Sequence, residues 1–186
     1  MKVLALIPWL LAGPLATADE TLDPVAVDAT IDLVRITRVD ELYWTLSRNA
    51  SREMFAEKRI TGSQLQCFES VEIETYTQAI AVFLLRDLRI EEIQSALDFY
   101  SSPTGVKFQH MAYQLNWEKN PKEFPLKVEG PKQSMNLAEL TALGRFRDSA
   151  GGLRLSCPLT YLNRPEALST IGAIFLETRM VCEDIK

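Results

Sequence analysis

Apolar residues recur every three to four positions over most of this 186-residue chain, the spacing of helices that bury one face. Asp23-Pro24 supplies an N-cap followed by proline at the first helical position. The helix it opens is expected to reach about Arg48, with Leu33, Ile36, Tyr43 and Leu46 on one stripe. Ser51–Arg59 is a shorter helical segment, with Gly62 as the residue that caps its end. Ser63, three residues before Gln66, has capping-box spacing and opens a long helix to about Leu88, carrying Leu65, Phe68, Val71, Ile80, Phe83 and Leu84 inward. Glu91–Tyr100 follows. Ser102 precedes Pro103, which breaks the helix and starts another carrying Val106, Phe108, Met111, Tyr113 and Leu115.

The pattern then changes. Asn116–Ser134 holds Pro121, Pro125, Gly130 and Pro131, and reads as an extended linker or a loop covering the bundle. Asn136 caps a helix over Leu137–Arg147, and Gly151-Gly152 interrupts the helical pattern after it. Pro165 starts the last helix, to about Asp184, with Leu168, Ile171, Ile174, Phe175 and Val181 facing inward. The expected fold is all-α, a helix bundle of antiparallel hairpins. Its parts are a leader at residues 1–18, a helical domain at 19–118, the Pro-rich segment at 119–134, and a C-terminal helical portion at 135–186 packed on the first.

One internal echo stands out. Ile90–Phe108 aligns without gaps on Leu137–Leu155 at an offset of 47 residues. Glu92 and Glu139, Phe99 and Phe146, Ser102 and Ser149, and Gly105 and Gly152 are identical. Ile93 and Leu140 agree in type, as do Lys107 and Arg154. A degenerate second copy of a helix–break–helix hairpin and a chance likeness are both open at this point. Two copies are in either case too few for a solenoid.

The first residues bear on compartment. Met1-Lys2 is a short positive start, Val3–Leu15 is nearly all apolar, and Ala16-Thr17-Ala18 fits a small-x-small cleavage site before Asp19. About 13 apolar residues, interrupted by Pro8, Gly13 and Pro14, are too few to span a bilayer. No membrane span is expected, and the chain reads as periplasmic or secreted. A formal net charge of −5 with no basic cluster argues against nucleic acid, which needs a cationic face. Cys67, Cys157 and Cys182 follow the leader, and in an oxidising compartment two of them are expected to pair. Three connectivities are open. Cys157 with Cys182 is favoured because the two bracket the last helix, leaving Cys67 as a buried thiol.

The residues offer little catalytic chemistry. His110 is the only histidine, so a metal site with several His ligands is excluded, and any Ser–His or Cys–His arrangement would have to use it. Glu69, Glu72 and Glu91-Glu92 lack the Glu-x-x-His partner of bundle metal sites. No phosphate-binding Gly-rich loop, Cys-x-x-Cys or calcium loop occurs, and no cofactor is expected. Asn49-Ala50-Ser51 matches the N-glycosylation sequon. Ser101, Ser102 and Thr104 cluster before a helix start, where free N–H groups hold anions. The simpler role for Ser102 is a helix cap. In the Pro-rich segment and its approach, Trp117 and Phe124 are the aromatic candidates for contact with a partner, or for packing over the bundle.

Phe99-Tyr100-Ser101-Ser102-Pro103-Thr104-Gly105-Val106-Lys107 resembles the Phe-Tyr-x-(Ser/Thr)-Pro-x-Gly-x-Lys signature of a bacterial family catalogued as domain of unknown function 2059. Ile90-Glu91-Glu92-Ile93 stands where that family opens its signature helix, and the likeness covers roughly residues 63–117. In the C-terminal echo Arg147 replaces the Tyr and Ala150 the Pro. The resemblance implies an all-helical secreted protein and no catalytic residues. The expectation is a non-enzymatic module of the bacterial envelope that binds an envelope protein or a small apolar ligand. The alternatives are a metal-independent hydrolase using carboxylates or a serine, and an apolar-ligand carrier.

Overall fold

The computed structural model describes residues 23–185, with the backbone alone at 159 and 160. These residues form ten helices and, among them, no strand: α1 (Pro24–Thr37), α2 (Val39–Ala56), α3 (Gly62–Glu69), α4 (Ile73–Asp87), α5 (Ile90–Ser101), α6 (Pro103–Lys119), α7 (Leu137–Arg147), α8 (Ala150–Leu155), α9 (Pro158–Leu162) and α10 (Pro165–Glu183). The all-α bundle is what the sequence predicts. The leader expected at residues 1–18 lies outside the described residues.

Several boundaries differ, each for a local reason. The first predicted helix is two. Thr37 turns its hydroxyl back onto the Leu33 carbonyl at 2.6 Å, and Arg38 takes a left-handed conformation with φ 54°. That conformation is costly for a residue with a Cβ, and Arg38 is held in it with its guanidinium on Glu41 at 2.7 and 2.8 Å. No break separates Arg48 from Ser51, because Ser51 bonds back to the Ser47 carbonyl inside α2. Gly62 opens α3 rather than closing a helix. The capping box belongs to Thr61 and Gln64, two residues earlier than Ser63 and Gln66. The long helix expected from Ser63 to Leu88 breaks at Ser70, whose hydroxyl bonds the Cys67 carbonyl at 2.7 Å. Gly151-Gly152 does not interrupt a helix; it lies inside α8, and the break falls at Asp148-Ser149. The Pro-rich segment starts at Asn120, since α6 continues through Trp117 to Lys119.

The core runs through α1, α4 and α5, with α2 and α10 against α4 and α8 against α5. Val34, Ile80, Ile93 and Ala96 are wholly buried in it. Phe146, Leu155, Ile171 and Ile174 belong to the same buried cluster, so the C-terminal helices share this core. Four of the residues expected inward, Val106, Leu115, Leu168 and Val181, are exposed, because their helices are covered on only one side. Polar ties fix the helices in register. Tyr113 Oη donates to the Thr37 carbonyl at 2.7 Å, Thr77 Oγ1 to the buried Asp40 carboxylate at 2.7 Å, and Trp44 Nε1 to the Val71 carbonyl at 2.8 Å. Burial pushes the Tyr43 phenol up to about 12 and raises Tyr100 and Tyr113 as well.

The disulfide is Cys67–Cys182, not Cys157–Cys182, and Cys157 is a free, exposed thiol. The two bonded cysteines lie 115 positions apart in sequence, with Cα atoms 5.7 Å apart. Helices α3 and α10 run against each other, with Phe68 stacked on Phe175 at 5.5 Å, and this brings Cys67 to Cys182. Cys157 sits instead in the turn between α8 and α9. Among the described residues no helix is long and apolar enough to cross a membrane.

Candidate functional site

The two segments that echo in sequence make the same corner. Ser102 Oγ accepts the Gly105 N–H at 3.1 Å and donates to the Phe99 carbonyl at 2.6 Å. Ser149 Oγ accepts the Gly152 N–H at 3.1 Å and donates to the Phe146 carbonyl at 2.6 Å. In both corners glycine is obligatory, because a Cβ would lie 2.0 Å from Phe99 O at Gly105 and 1.7 Å from Phe146 O at Gly152. Ser102 is therefore occupied as the cap of α6. Ser101 is exposed and Thr104 half-buried; neither makes a side-chain hydrogen bond among the described residues, and neither lines the groove at Trp117 or the cleft at Tyr113.

The two hairpins, α5–α6 and α7–α8, also bind each other reciprocally. Phe99 and its counterpart Phe146 stack face to face, 4.0 Å apart with 4° between planes. Lys107 Nζ at the end of the first segment reaches Glu139 at the start of the second, at 2.8 Å. Arg154 at the end of the second reaches Glu92 at the start of the first, at 3.8 Å. Each glutamate also accepts the N–H three residues before it, Arg89 at 2.8 Å and Asn136 at 2.7 Å. Equivalent residues that stack, and equivalent ion pairs that cross, are the mark of a two-fold arrangement of like units. The Lys107 ammonium, with the Asn136 N–H, holds Glu139 below the usual carboxylate range.

A polar cluster not read from the sequence ties α4, α8, α9 and α10. Asp87 accepts from Tyr161 Oη, from Arg164 at 2.8 Å and from Arg154 at 2.9 Å. The two guanidiniums also lie over the Tyr161 ring, 5.5 and 5.0 Å from its centroid. The tyrosine hydrogen bond, helped by Arg164, holds Asp87 below its ordinary value, while burial and Asp87 raise Tyr161. The four residues are scattered from 87 to 164, so no spacing in the sequence reveals them. Every charged group in the cluster has a partner, which makes it a brace.

Of the predicted contact pair, Phe124 packs on the core together with Leu126 and Val128. This is the covering role rather than the contact role, set by alternation along an extended strap whose Lys127 and Glu129 point outward. Trp117 differs. It lines a groove of about 270 Å³ with Gln114, Glu118, Lys127, Val128, Glu129 and Gly130, and Lys127 Nζ lies 5.6 Å from its ring centroid. Among the described residues no hydrogen bond reaches the strap's main chain from Pro125 to Met135. A second, narrow cleft lies between Tyr100, Phe108, Gln109, Tyr113 and Cys157, and its volume of about 40 Å³ is little more than room for water. Ligand pockets measure roughly 300–1,000 Å³. His110 lies beside Gly130, and with Cys67 in the disulfide no thiol–imidazole pair includes it and Cys67. Among the described residues no three His, Cys, Asp or Glu side chains gather in a way that could hold a metal ion.

The fold and these surfaces define a disulfide-braced helical bundle containing two like hairpins. No family model, curated protein or solved structure matches the chain.

Proposed function

We propose that this chain is a non-enzymatic protein-binding module of the bacterial envelope, exported by the leader at residues 1–18. The observation that carries the reading is the groove at Trp117. An aromatic ring with a cation over it stands beside an extended strap whose main-chain groups from Pro125 to Met135 are unpaired among the described residues. Aromatic anchors and unpaired extended backbone are recurrent means of holding a protein segment. The disulfide, the small-x-small leader and the likeness of Phe99–Lys107 to the secreted family support an envelope location.

The test is crosslinking capture from the native envelope, with wild type compared with Trp117→Ala. Loss of a reproducible partner at unchanged helicity supports the reading. Co-purification of a lipid or metabolite, with no protein partner, overturns it. Phe124→Ala is the control for packing, because it loosens the strap from the core.

A further inference from the structure

The two hairpins differ in what covers them. On α5, residues Ile93, Leu97 and Tyr100 follow one another at helical spacing along one side. Helix α1 packs along α5, and Ile93 and Tyr100 are buried in a core that includes Leu33 and Val34 of α1. The equivalent positions on α7 are Leu140, Gly144 and Arg147, with Leu137 one turn before them in the place of Ile90. Leu137 is 81% exposed and Leu140 51% exposed, where Ile93 is wholly buried. A Cβ at Gly144 would meet nothing within 4 Å. Leu140 is thus exposed where its counterpart Ile93 is covered, Leu137 is more exposed than its own 38%-exposed counterpart Ile90, and among the described residues no helix covers this face of α7.

The charges beside the stripe state which helix would fit. Arg145 and Arg147 are exposed in the last turn of α7, and neither is ion-paired among the described residues. Asp148 follows as the only acid at that end of the helix. We infer that the Leu137–Leu140–Gly144 face of α7 is a docking site for an amphipathic helix of a partner protein, with acidic residues flanking its apolar stripe. Gly144 lets that helix approach closely, and the two arginines set its charge preference. This site goes beyond the Trp117 groove and shares no residue with it.

Two fluorescein-labelled helical peptides of 15 residues serve as probes. They share a Leu/Ala stripe, and one is flanked by Glu, the other by Lys. Anisotropy titrations with the full exported chain should show the Glu peptide binding at least tenfold more tightly than the Lys peptide. Leu140→Glu, and separately the pair Arg145→Glu and Arg147→Glu, should each weaken it at least tenfold at unchanged circular dichroism and melting temperature. Trp117→Ala should leave it unchanged, so failure here and failure of the groove reading are separable. Equal affinity for the two peptides, no binding at 1 mM peptide, or indifference to Leu140→Glu would overturn the inference. So would sedimentation showing a dimer that Leu140→Glu dissolves, since the face would then belong to a second copy.

Discussion

Ser102 and Ser149 make the same pair of hydrogen bonds, to the same distances, yet the helices they join fare differently. The corner at residues 99–105 leads from a central helix into the 17-residue α6, which reaches Tyr113 and Trp117. The corner at residues 146–152 joins an outer helix, α7, to the six-residue α8. Tyr100, beside the first corner, is buried with its hydroxyl on the Leu155 carbonyl at 2.8 Å, whereas its counterpart Arg147 is exposed. The local motif is therefore set by three residue types, Phe, Ser and Gly, at fixed spacing, and burial is set by what lies alongside. This also explains why Ile93 and Leu140 have the same chemistry and opposite surroundings.

Breaking the shared centre should have the largest effect. Phe99→Ala removes a ring that touches Tyr100, Phe108 and Phe146, and should destabilise the fold by up to about 5 kcal/mol. Phe146→Ala should cost about 3–4 kcal/mol on the same scale, since it lies in the outer hairpin. Urea denaturation reads both, and a Phe146→Ala loss as large as that of Phe99→Ala would remove the asymmetry.

Reduction of Cys67–Cys182, which closes a loop of 115 positions, should cost up to about 5 kcal/mol on the chain-entropy view. Hydrogen exchange of the reduced protein should rise in α3 and α10 and stay low in α5 and α8, because the bond braces the outer helices and not the hairpin pair. Faster exchange in α5 would contradict this.

The glycines test whether the corners are alike. Gly105→Ala and Gly152→Ala should each destabilise by about 3 kcal/mol, because the added methyl meets a backbone carbonyl that cannot swing aside. Gly144→Ala, in open space within α7, should stabilise by about 0.5–1 kcal/mol through helix propensity. Thermal melts of the three variants sort them directly.

The crossed ion pairs should give smaller and unequal effects. Arg154→Gln strips a donor from both Asp87 and the buried Glu92, and should cost about 1–2 kcal/mol after allowing for the partial exposure of the arginine. Lys107→Gln should have a smaller effect, as it removes one pair, with Glu139, where Arg154 serves two carboxylates. A charge-swapped Lys107→Glu, Glu139→Lys double variant should recover the ion-pair part of the loss only, because a lysine at 139 cannot accept the Asn136 N–H that Glu139 accepts.

The smallest effect is in pH. Asp87 and Glu139 are both held below their ordinary values in the folded chain. The unfolded state therefore binds their protons first as acid is added. Their contribution is complete above the ordinary carboxylate range near pH 4, and is lost as pH falls through the lowered values. Acid titration of stability should show this loss below about pH 4, and Lys107→Gln should shrink the part due to Glu139, leaving what the Asn136 N–H sustains. An unchanged acid limb in that variant would place the dependence elsewhere.

Much of the fold is legible in local chemistry. Asp23-Pro24, Ser102-Pro103 and Asn136 with Glu139 start helices where the sequence places them, since each cap satisfies donors within its own turn. The echo of residues 90–108 in 137–155 is visible for the same reason, because Ser, Gly and Phe at those spacings dictate one corner. Boundaries failed where a side chain competes with its own backbone. Thr37 and Ser70 turn inward on preceding carbonyls, and nothing in apolar periodicity registers that.

The candidate site was legible only in part. Trp117 could be picked out as an aromatic near a Pro-rich segment, but that it meets Lys127 and Phe124 does not depends on how the strap lies on α6. By itself the sequence determined the all-helical class, most helix starts and the corner at Ser102-Pro103, because those rest on contacts within a few residues; it left the echo at residues 137–155 open between a second copy and chance, and expected its break at Gly151-Gly152. Tertiary structure alone decided the disulfide partner of Cys182, the brace at Asp87, and which of two like helices is buried. Those depend on residues 40 to 120 positions apart being carried together by packing, and no local signal encodes that meeting.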